Sequence, residues 1–310
     1  MISAKDVKDL RERTGAGMMD CKKALTEADG DMDKAIDLLR EKGLASAAKK
    51  AGRIAAEGLV GIAFADGGHK AAMVEVNSET DFVAKNPEFV EFVNNVAVAA
   101  LNSDAADVEA LAAADCDGAT VGEVLTAKIA KIGENMSIRR FVRMGGDDKV
   151  YVSYTHINGK IGVLVELQTA ADQAEVADMG RDVAMQIASM NPMFVSEDDV
   201  DPDYLEKETH IQMQLALNEN AELAKPKPES IVEKMVAGRI KKLMKETCLL
   251  DQAFVKDNDL NVAQYVANCA KAIGKDIKVT AFVRYQVGEG IEKKESNLAE
   301  EVAAINGGKC

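Results

Sequence analysis

The chain repeats part of itself, and that repeat limits the folds open to it. Residues 68–76 are matched by residues 159–167 at an offset of 91, pairing Val74 with Val165, Glu75 with Glu166 and Val76 with Leu167. A second correspondence, at an offset of 141, sets Ile132, Gly133, Phe141, Val142 and Arg143 against Ile273, Gly274, Phe282, Val283 and Arg284. Self-similarity of this kind marks one supersecondary unit used twice. Each copy reads as a hairpin, then helices, then a third strand. The two offsets differ by 50, so the second copy carries an insertion of about that length.

In the first copy, residues 59–65 and 69–77 alternate as strands around Asp66-Gly67-Gly68, a hairpin turn. A helix follows Pro87 with Phe89, Val93, Val96 and Ala100 on one face. Residues 102–120, rich in Ala and Asp, read as a loop with helical pieces; residues 121–132 form a helix and 137–144 a strand. The insertion lies in the second copy. Residues 204–223 are predicted helical, with Tyr204, Ile211 and Leu215 along one side. Lys225-Pro226-Lys227-Pro228 cannot continue that helix, and residues 229–247 form another, with Val232, Val236, Ile240 and Leu243 on one stripe. Two such helices make an antiparallel helical hairpin.

Ahead of the repeat, residues 3–43 read as three short helices. Ser3 caps the first, Thr14-Gly15-Ala16-Gly17 ends it, Asp29-Gly30-Asp31 separates the second from the third, and Gly43 is read as a stop. The module resembles the ubiquitin-associated type. Met18 and Met19 are adjacent and cannot share one small core, so one of them is expected at the surface, where Met suits adaptable docking. Asp29, Asp31 and Asp33 imitate a calcium loop, but Lys34 and Arg40 stand where Gly and Glu are required. Residues 44–56, with Lys49, Lys50 and Arg53, form a helical linker whose charges are either a solvated face or a docking contact. The expected class is α+β: the helical module and linker at 1–56, two pseudo-repeated small antiparallel-sheet subdomains at 57–148 and 149–287, the helical hairpin at about 203–247 within the second, and a C-terminal module at 288–310. The last contains a short helix over 296–305, too short to stand alone.

The most informative stretch is 73–87. Its strand breaks at Asn77-Ser78, and Asn86-Pro87 starts a helix; between them lies Thr80-Asp81-Phe82-Val83, an aromatic beside a carboxylate in a loop. Phe82 either packs under the helix or serves as an apolar probe with an anionic neighbour. At an offset of 91, Asp81 maps to Asp172 but Phe82 maps to Gln173. Scaffolding does not require that asymmetry, which adds weight to the probe.

Composition excludes several classes. A net charge of −14 disfavours a phosphate-backbone binder, and 4% aromatics with no Trp disfavour a single-strand stacking platform. No apolar run is long enough to span a membrane, and the N-terminus is charged from Lys5 onward without a signal-peptide core, so a cytoplasmic protein is expected. The cysteines, Cys21, Cys116, Cys248, Cys269 and Cys310, lack Cys-x-x-Cys spacing and read as reduced thiols. His69, His156 and His210 share no metal-ligand spacing; His156 is read as a turn histidine or a partner contact. There is no P-loop and no nucleophile elbow. Neither an enzyme nor a cofactor is expected.

The run Leu10-Arg11-Glu12-Arg13-Thr14-Gly15-Ala16-Gly17-Met18-Met19-Asp20-Cys21-Lys22-Lys23-Ala24-Leu25 resembles the N-terminal signature of bacterial elongation factor Ts. So do 76–85 with the Thr-Asp-Phe-Val core, Lys131-Ile132-Gly133-Glu134-Asn135, Ile161-Gly162-Val163-Leu164, Glu233-Lys234-Met235-Val236 and Val287-Gly288-Glu289-Gly290. The resemblance is weakest over 102–120. It implies a nucleotide exchange factor for elongation factor Tu, the GTPase that carries aminoacyl-tRNA, met in its GDP-bound and nucleotide-free states. It implies further that Thr80, Asp81, Phe82 and Val83 dislocate Mg²⁺ from the GTPase. Arg11, Met18, Met19 and Lys22 would dock on its nucleotide domain, which the C-terminal helix would also reach, and Lys50 and His156 would make further contacts. The competing class is a ubiquitin-associated-type adaptor that binds without accelerating exchange.

Overall fold

Local chemistry sets most element boundaries in the computed structural model, which describes residues 2–292. Helix α1 (Ala4–Thr14) begins at a reciprocal cap between Ser3 and Asp6 and ends at Gly15, whose φ of 64° suits a residue without Cβ. Helix α2 (Met18–Glu27) follows. Helix α3 (Met32–Lys50) starts where the Asp31 carboxylate accepts from the Asp33 and Lys34 amides. The acidic run is thus a helix cap. Leu10, Cys21, Ala24, Leu25 and Ala35 form the core of the three-helix module, flanked by Val7, Met32, Ile36 and Leu39.

Gly43 does not stop α3, contrary to expectation; the helix runs on to Lys50. Gly43 is buried, and a Cβ there would lie 3.4 Å from the Thr126 methyl and 3.9 Å from Ala130 Cβ. The glycine is a point of close approach between α3 and a later helix, and packing there outweighs the roughly 1 kcal/mol helix cost of Gly. Residues 44–50 of the expected helical linker therefore continue α3.

The first sheet has the order β1-β2-β5, from β1 (Glu57–Ala65), β2 (Lys70–Ser78) and β5 (Met136–Gly145). Between β2 and β5 come α4 (Asp81–Ala84), α5 (Pro87–Asn102), α6 (Val108–Ala112), the two-stranded pair β3 (Asp115–Cys116) and β4 (Ala119–Thr120), and α7 (Val121–Ile132). Helix α5 buries Phe89, Phe92, Val93, Val96 and Ala100, the expected face with Phe92 added. The stretch read as a loop with helical pieces resolves into α6 and a hairpin turning at Asp117-Gly118, where both residues have positive φ.

The second sheet has the order β10-β7-β6. Strands β6 (Lys149–His156) and β7 (Ile161–Thr169) pair antiparallel in unbroken register from Lys149 opposite Gln168 to His156 opposite Ile161. Then come α8 (Gln173–Met190), α9 (Pro202–Ala221), α10 (Glu229–Thr247), the pair β8 (Ala253–Phe254) and β9 (Asp257–Asn261), α11 (Val262–Ile273) and β10 (Ile277–Gln286). The sheets share one order, a hairpin with a third strand beside its second. Gly133 after α7 and Gly274 after α11 take the same left-handed conformation. The sequence pairing omitted one shared part: β3-β4 before α7 corresponds to β8-β9 before α11.

The described residues group into two compact units, 2–61 with 74–142 and 286–292, and 62–73 with 143–285. The second is filled by Val150, Val152, Val163, Val165, Val183 and Ile187 among others. The helical hairpin is present, and α10 packs with the expected stripe of Val232, Val236 and Ile240, but the contact face of α9 is not the expected one. Ala216, Val232 and Val236 are buried between α9 and α10 with Met213 and Ile240 against them, whereas Ile211 and Leu215 are exposed. Small Ala216 admits the two valines, which turns the bulkier Ile211 and Leu215 outward. The helix expected over 296–305 lies outside the described residues.

Candidate functional site

After β2 the backbone tightens. Thr80 takes an extended conformation, and its hydroxyl accepts from the Val83 amide at 3.4 Å, which starts the single turn α4. The segment expected as a loop is thus a capped helical turn. Asn86 caps α5 by accepting from the Glu88 amide at 2.9 Å, and Pro87 opens that helix, so α4 and α5 stay separate.

Successive side chains on a helical turn point about 100° apart. Val83 and Ala84 are buried under α4. Phe82 faces the other way and is 80% exposed, the most exposed large apolar side chain among the described residues. Asp81 is half-buried and accepts from the Lys85 ammonium at 2.6 Å; that ammonium also lies 6.0 Å from the centre of the Phe82 ring. The turn therefore presents an apolar ring flanked by an ion pair.

Two carboxylates fix the base of the turn. Glu134 accepts the Thr80 hydroxyl at 2.7 Å on one oxygen and the Thr80 amide at 3.0 Å on the other. Glu79 accepts the Asn135 amide at 2.5 Å and one Arg53 guanidinium N–H at 3.4 Å, while the Asn135 side-chain amide donates to the Arg53 carbonyl at 2.7 Å. The left-handed Gly133 that ends α7 delivers Glu134 and Asn135 to this place. Glu134 lies in one of the motifs of the sequence, but nothing along the chain assigns it to the site. Its partner is 54 residues away, and no periodicity signals such a pair.

The remaining predicted residues divide between the units. Arg11, Met18, Met19 and Lys22 are exposed on α1 and α2. One exposed methionine was expected, yet Met18 is 59% and Met19 62% exposed. Cys21, Ala24 and Leu25 fill the core face of α2 and leave both methionines outside. Lys50, half-buried at the end of α3, donates to the Ser46 hydroxyl at 2.5 Å. His156 belongs to the second unit, exposed at the end of β6, with its Nδ1 2.8 Å from the Tyr154 hydroxyl.

Other chemistry is sparse. Among the described residues there is no group of three or more His, Cys, Asp or Glu able to hold a metal ion, and no helix long and apolar enough to cross a membrane. Cys21, Cys116 and Cys248 are free and buried, and burial pushes their thiols above the ordinary value, away from nucleophilic thiolate. His69 turns its Nδ1 to the Lys149 carbonyl at 2.7 Å.

Known proteins were compared with this chain. The family described as Elongation factor TS matches residues 79–289. Elongation factor Ts of Clostridioides difficile strain 630 is 56% identical over 303 residues, covering 97% of this chain and 98% of that protein. The same-named protein of Clostridium perfringens strain 13 is 56% identical over 308 residues, 99% of this chain and all of its own length. That of Clostridium botulinum strain Alaska E43 is 53% identical over 304 residues, 98% of each chain.

Proposed function

The chain belongs to the elongation factor Ts family, and on that footing we propose that it is the guanine nucleotide exchange factor of elongation factor Tu. It makes and breaks no covalent bond. It binds the GDP complex of the GTPase, inserts the α4 turn, and loosens the Mg²⁺ that ties the nucleotide phosphates to the GTPase. Exchange factor and nucleotide then weaken each other by the same factor, and GTP loading completes the cycle.

The observation that carries this reading is the outward Phe82, 80% exposed on a turn whose base is pinned. A solvated aromatic on a rigid mount gains free energy when a partner buries it. Full burial of a Phe side chain is worth roughly 1.5–3 kcal/mol. Speeding release about 10⁴-fold needs roughly 5.5 kcal/mol of differential stabilisation. Phe82 therefore supplies a share, and the rest comes from docking by Arg11, Met18, Met19 and Lys22 on residues 1–56, with Lys50 and His156 as further contacts. Residues 57–148 and 149–287 serve as the platform in this scheme.

The test is release of labelled GDP from elongation factor Tu. Phe82→Ala is expected to slow it roughly 10- to 100-fold, the factor that corresponds to the burial energy of the ring. Release at the wild-type rate would remove the wedge. A protein that binds the GTPase and leaves release unaccelerated would instead be an adaptor.

A further inference from the structure

The junction between sheet and helix occurs twice in this fold, and the two versions differ where the side chains act. In the second copy, Asp172 caps α8 and its amide donates to Glu175 at 2.8 Å. Lys275 clamps the same Glu175 oxygen at 2.6 Å. Gln173, which matches Phe82 in the repeat, donates from its side chain to the Tyr151 carbonyl at 2.8 Å. Helix α8 then runs without interruption to Met190.

In the first copy each part is changed. Pro87, matching Asp178, splits the helix into α4 and α5, and Phe82 points to solvent. Glu134 stands where Lys275 stands in the second copy, at the offset of 141. This residue is reversed in charge and holds acceptors only, and both of its oxygens engage Thr80.

From this we propose that Glu134 is the positioning residue of the exchange site: it holds Thr80, and through Thr80 the α4 turn, in the orientation that presents Phe82. The inference rests on the wedge reading of Phe82 and adds a residue to it. A single helical turn is not stable alone. Val83 and Ala84 anchor one side of it by burial, and Glu134 anchors its start. The Thr80 hydroxyl donates to Glu134 and accepts from the Val83 amide, so one group ties the cap of the turn to Glu134. Without Glu134 the turn samples other orientations, and the cost of ordering it falls on the insertion step. The strand side of the junction is held separately by Glu79, Asn135 and Arg53, so the sheet does not depend on Glu134.

GDP release from elongation factor Tu, followed against concentration of the full chain, separates plateau rate from half-saturating concentration. Glu134→Ala is expected to lower the plateau about five- to tenfold, the upper end of the net worth of a single ordinary hydrogen bond, with half-saturation moved less than about twofold. Thr80→Val, which keeps the shape but removes both the hydroxyl contact with Glu134 and the cap on the Val83 amide, should lower the plateau at least as far. Glu134→Gln should restore most of it, since its oxygen accepts the Thr80 amide and its NH₂ donates to the hydroxyl. Glu134→Lys leaves that amide without an acceptor and should not rescue. Phe82→Ala with Glu134→Ala should be no slower than Phe82→Ala alone, because both act on one step. Thermal midpoints of every variant identify any that fail to fold, in which case Thr80→Val and Glu134→Gln decide. A normal plateau in Glu134→Ala and Thr80→Val, beside a slow Phe82→Ala, overturns the positioning role and leaves the wedge standing. A raised half-saturation with the plateau intact also overturns it, by making Glu134 a docking contact. If Phe82→Ala is itself normal, the wedge reading fails first.

Discussion

Glu75 and Glu166 occupy one position of the repeat and are buried in both copies. Glu75 accepts from Arg139 at 3.1 Å, Arg140 at 2.6 Å, Asn77 at 3.2 Å and the Gly288 amide at 2.8 Å. Glu166 accepts from Lys149 at 2.6 Å, Thr280 at 2.8 Å and Tyr151 at 2.9 Å. Thr280 and Arg139 match at the offset of 141, so the third strand feeds the carboxylate in each copy. Burial raises the Glu166 carboxyl, but hydrogen bonds from Lys149, Thr280 and Tyr151 and the Lys149 charge outweigh it and leave the group below its ordinary value. The same contact with Glu166 raises Lys149, and burial with Glu166 raises the Tyr151 hydroxyl. A carboxylate depressed in the folded state stabilises fully above its unfolded pKa of about 4.3, and that stability disappears as pH falls through the lower folded value. Glu166→Gln should therefore cost roughly 1.5–3 kcal/mol at pH 7 and should flatten the loss of stability below about pH 4.5. Urea unfolding at a series of pH values checks this; two parallel stability curves would exclude it.

At the scale of elements, the break between α4 and α5 matters most. Asn86 and Pro87 make it by capping and by denying the turn a continuing hydrogen bond. Replacing both with Ala should let residues 81–102 run as one helix, as α8 does at the same place. Amide exchange at 85–88 should slow and thermal stability should hold, while GDP release should fall because Phe82 no longer stands on an isolated turn. Normal release from a demonstrably fused helix would show that the break does not present the ring. Elements were legible in the sequence wherever their signals are local. Ser3, Asn86-Pro87 and the 225–228 prolines each mark an end by their own backbone chemistry. Gly43 misled because its environment, Thr126 and Ala130 on α7, lies about 85 residues away and overrides its local preference.

At the scale of the molecule, the repeat builds two similar sheets, and the proposed function concentrates in the places where the copies differ. A net charge of −14 disfavours bulk attraction to phosphate, so the proposed docking on a protein partner rests on selected surface features. Met18 and Met19, both exposed and both outside the module's core, are the features that the proposed docking uses. Met18→Ala with Met19→Ala should raise the half-saturating concentration for exchange about tenfold, the loss of one modest docking contact. It should leave the plateau rate unchanged and the unfolding free energy within about 0.5 kcal/mol. A titration of GDP release with a thermal melt reads all three. A lowered plateau would instead place the methionines in the insertion step, with Phe82.

By itself the sequence determined the α+β class, the doubled hairpin-helix-strand unit, the helical hairpin and its Pro-bearing turn, and Thr80 to Val83 as the stretch to watch. These rest on periodicity, turn chemistry and self-similarity, which are properties of neighbours along the chain. Tertiary structure alone decided that Phe82 faces water, that both methionines do, that α3 passes through Gly43, and that Glu134 holds Thr80. Each of these depends on which side chains from distant elements arrive at one point in space, and hydrogen-bond direction and packing select among arrangements that look equal along the chain.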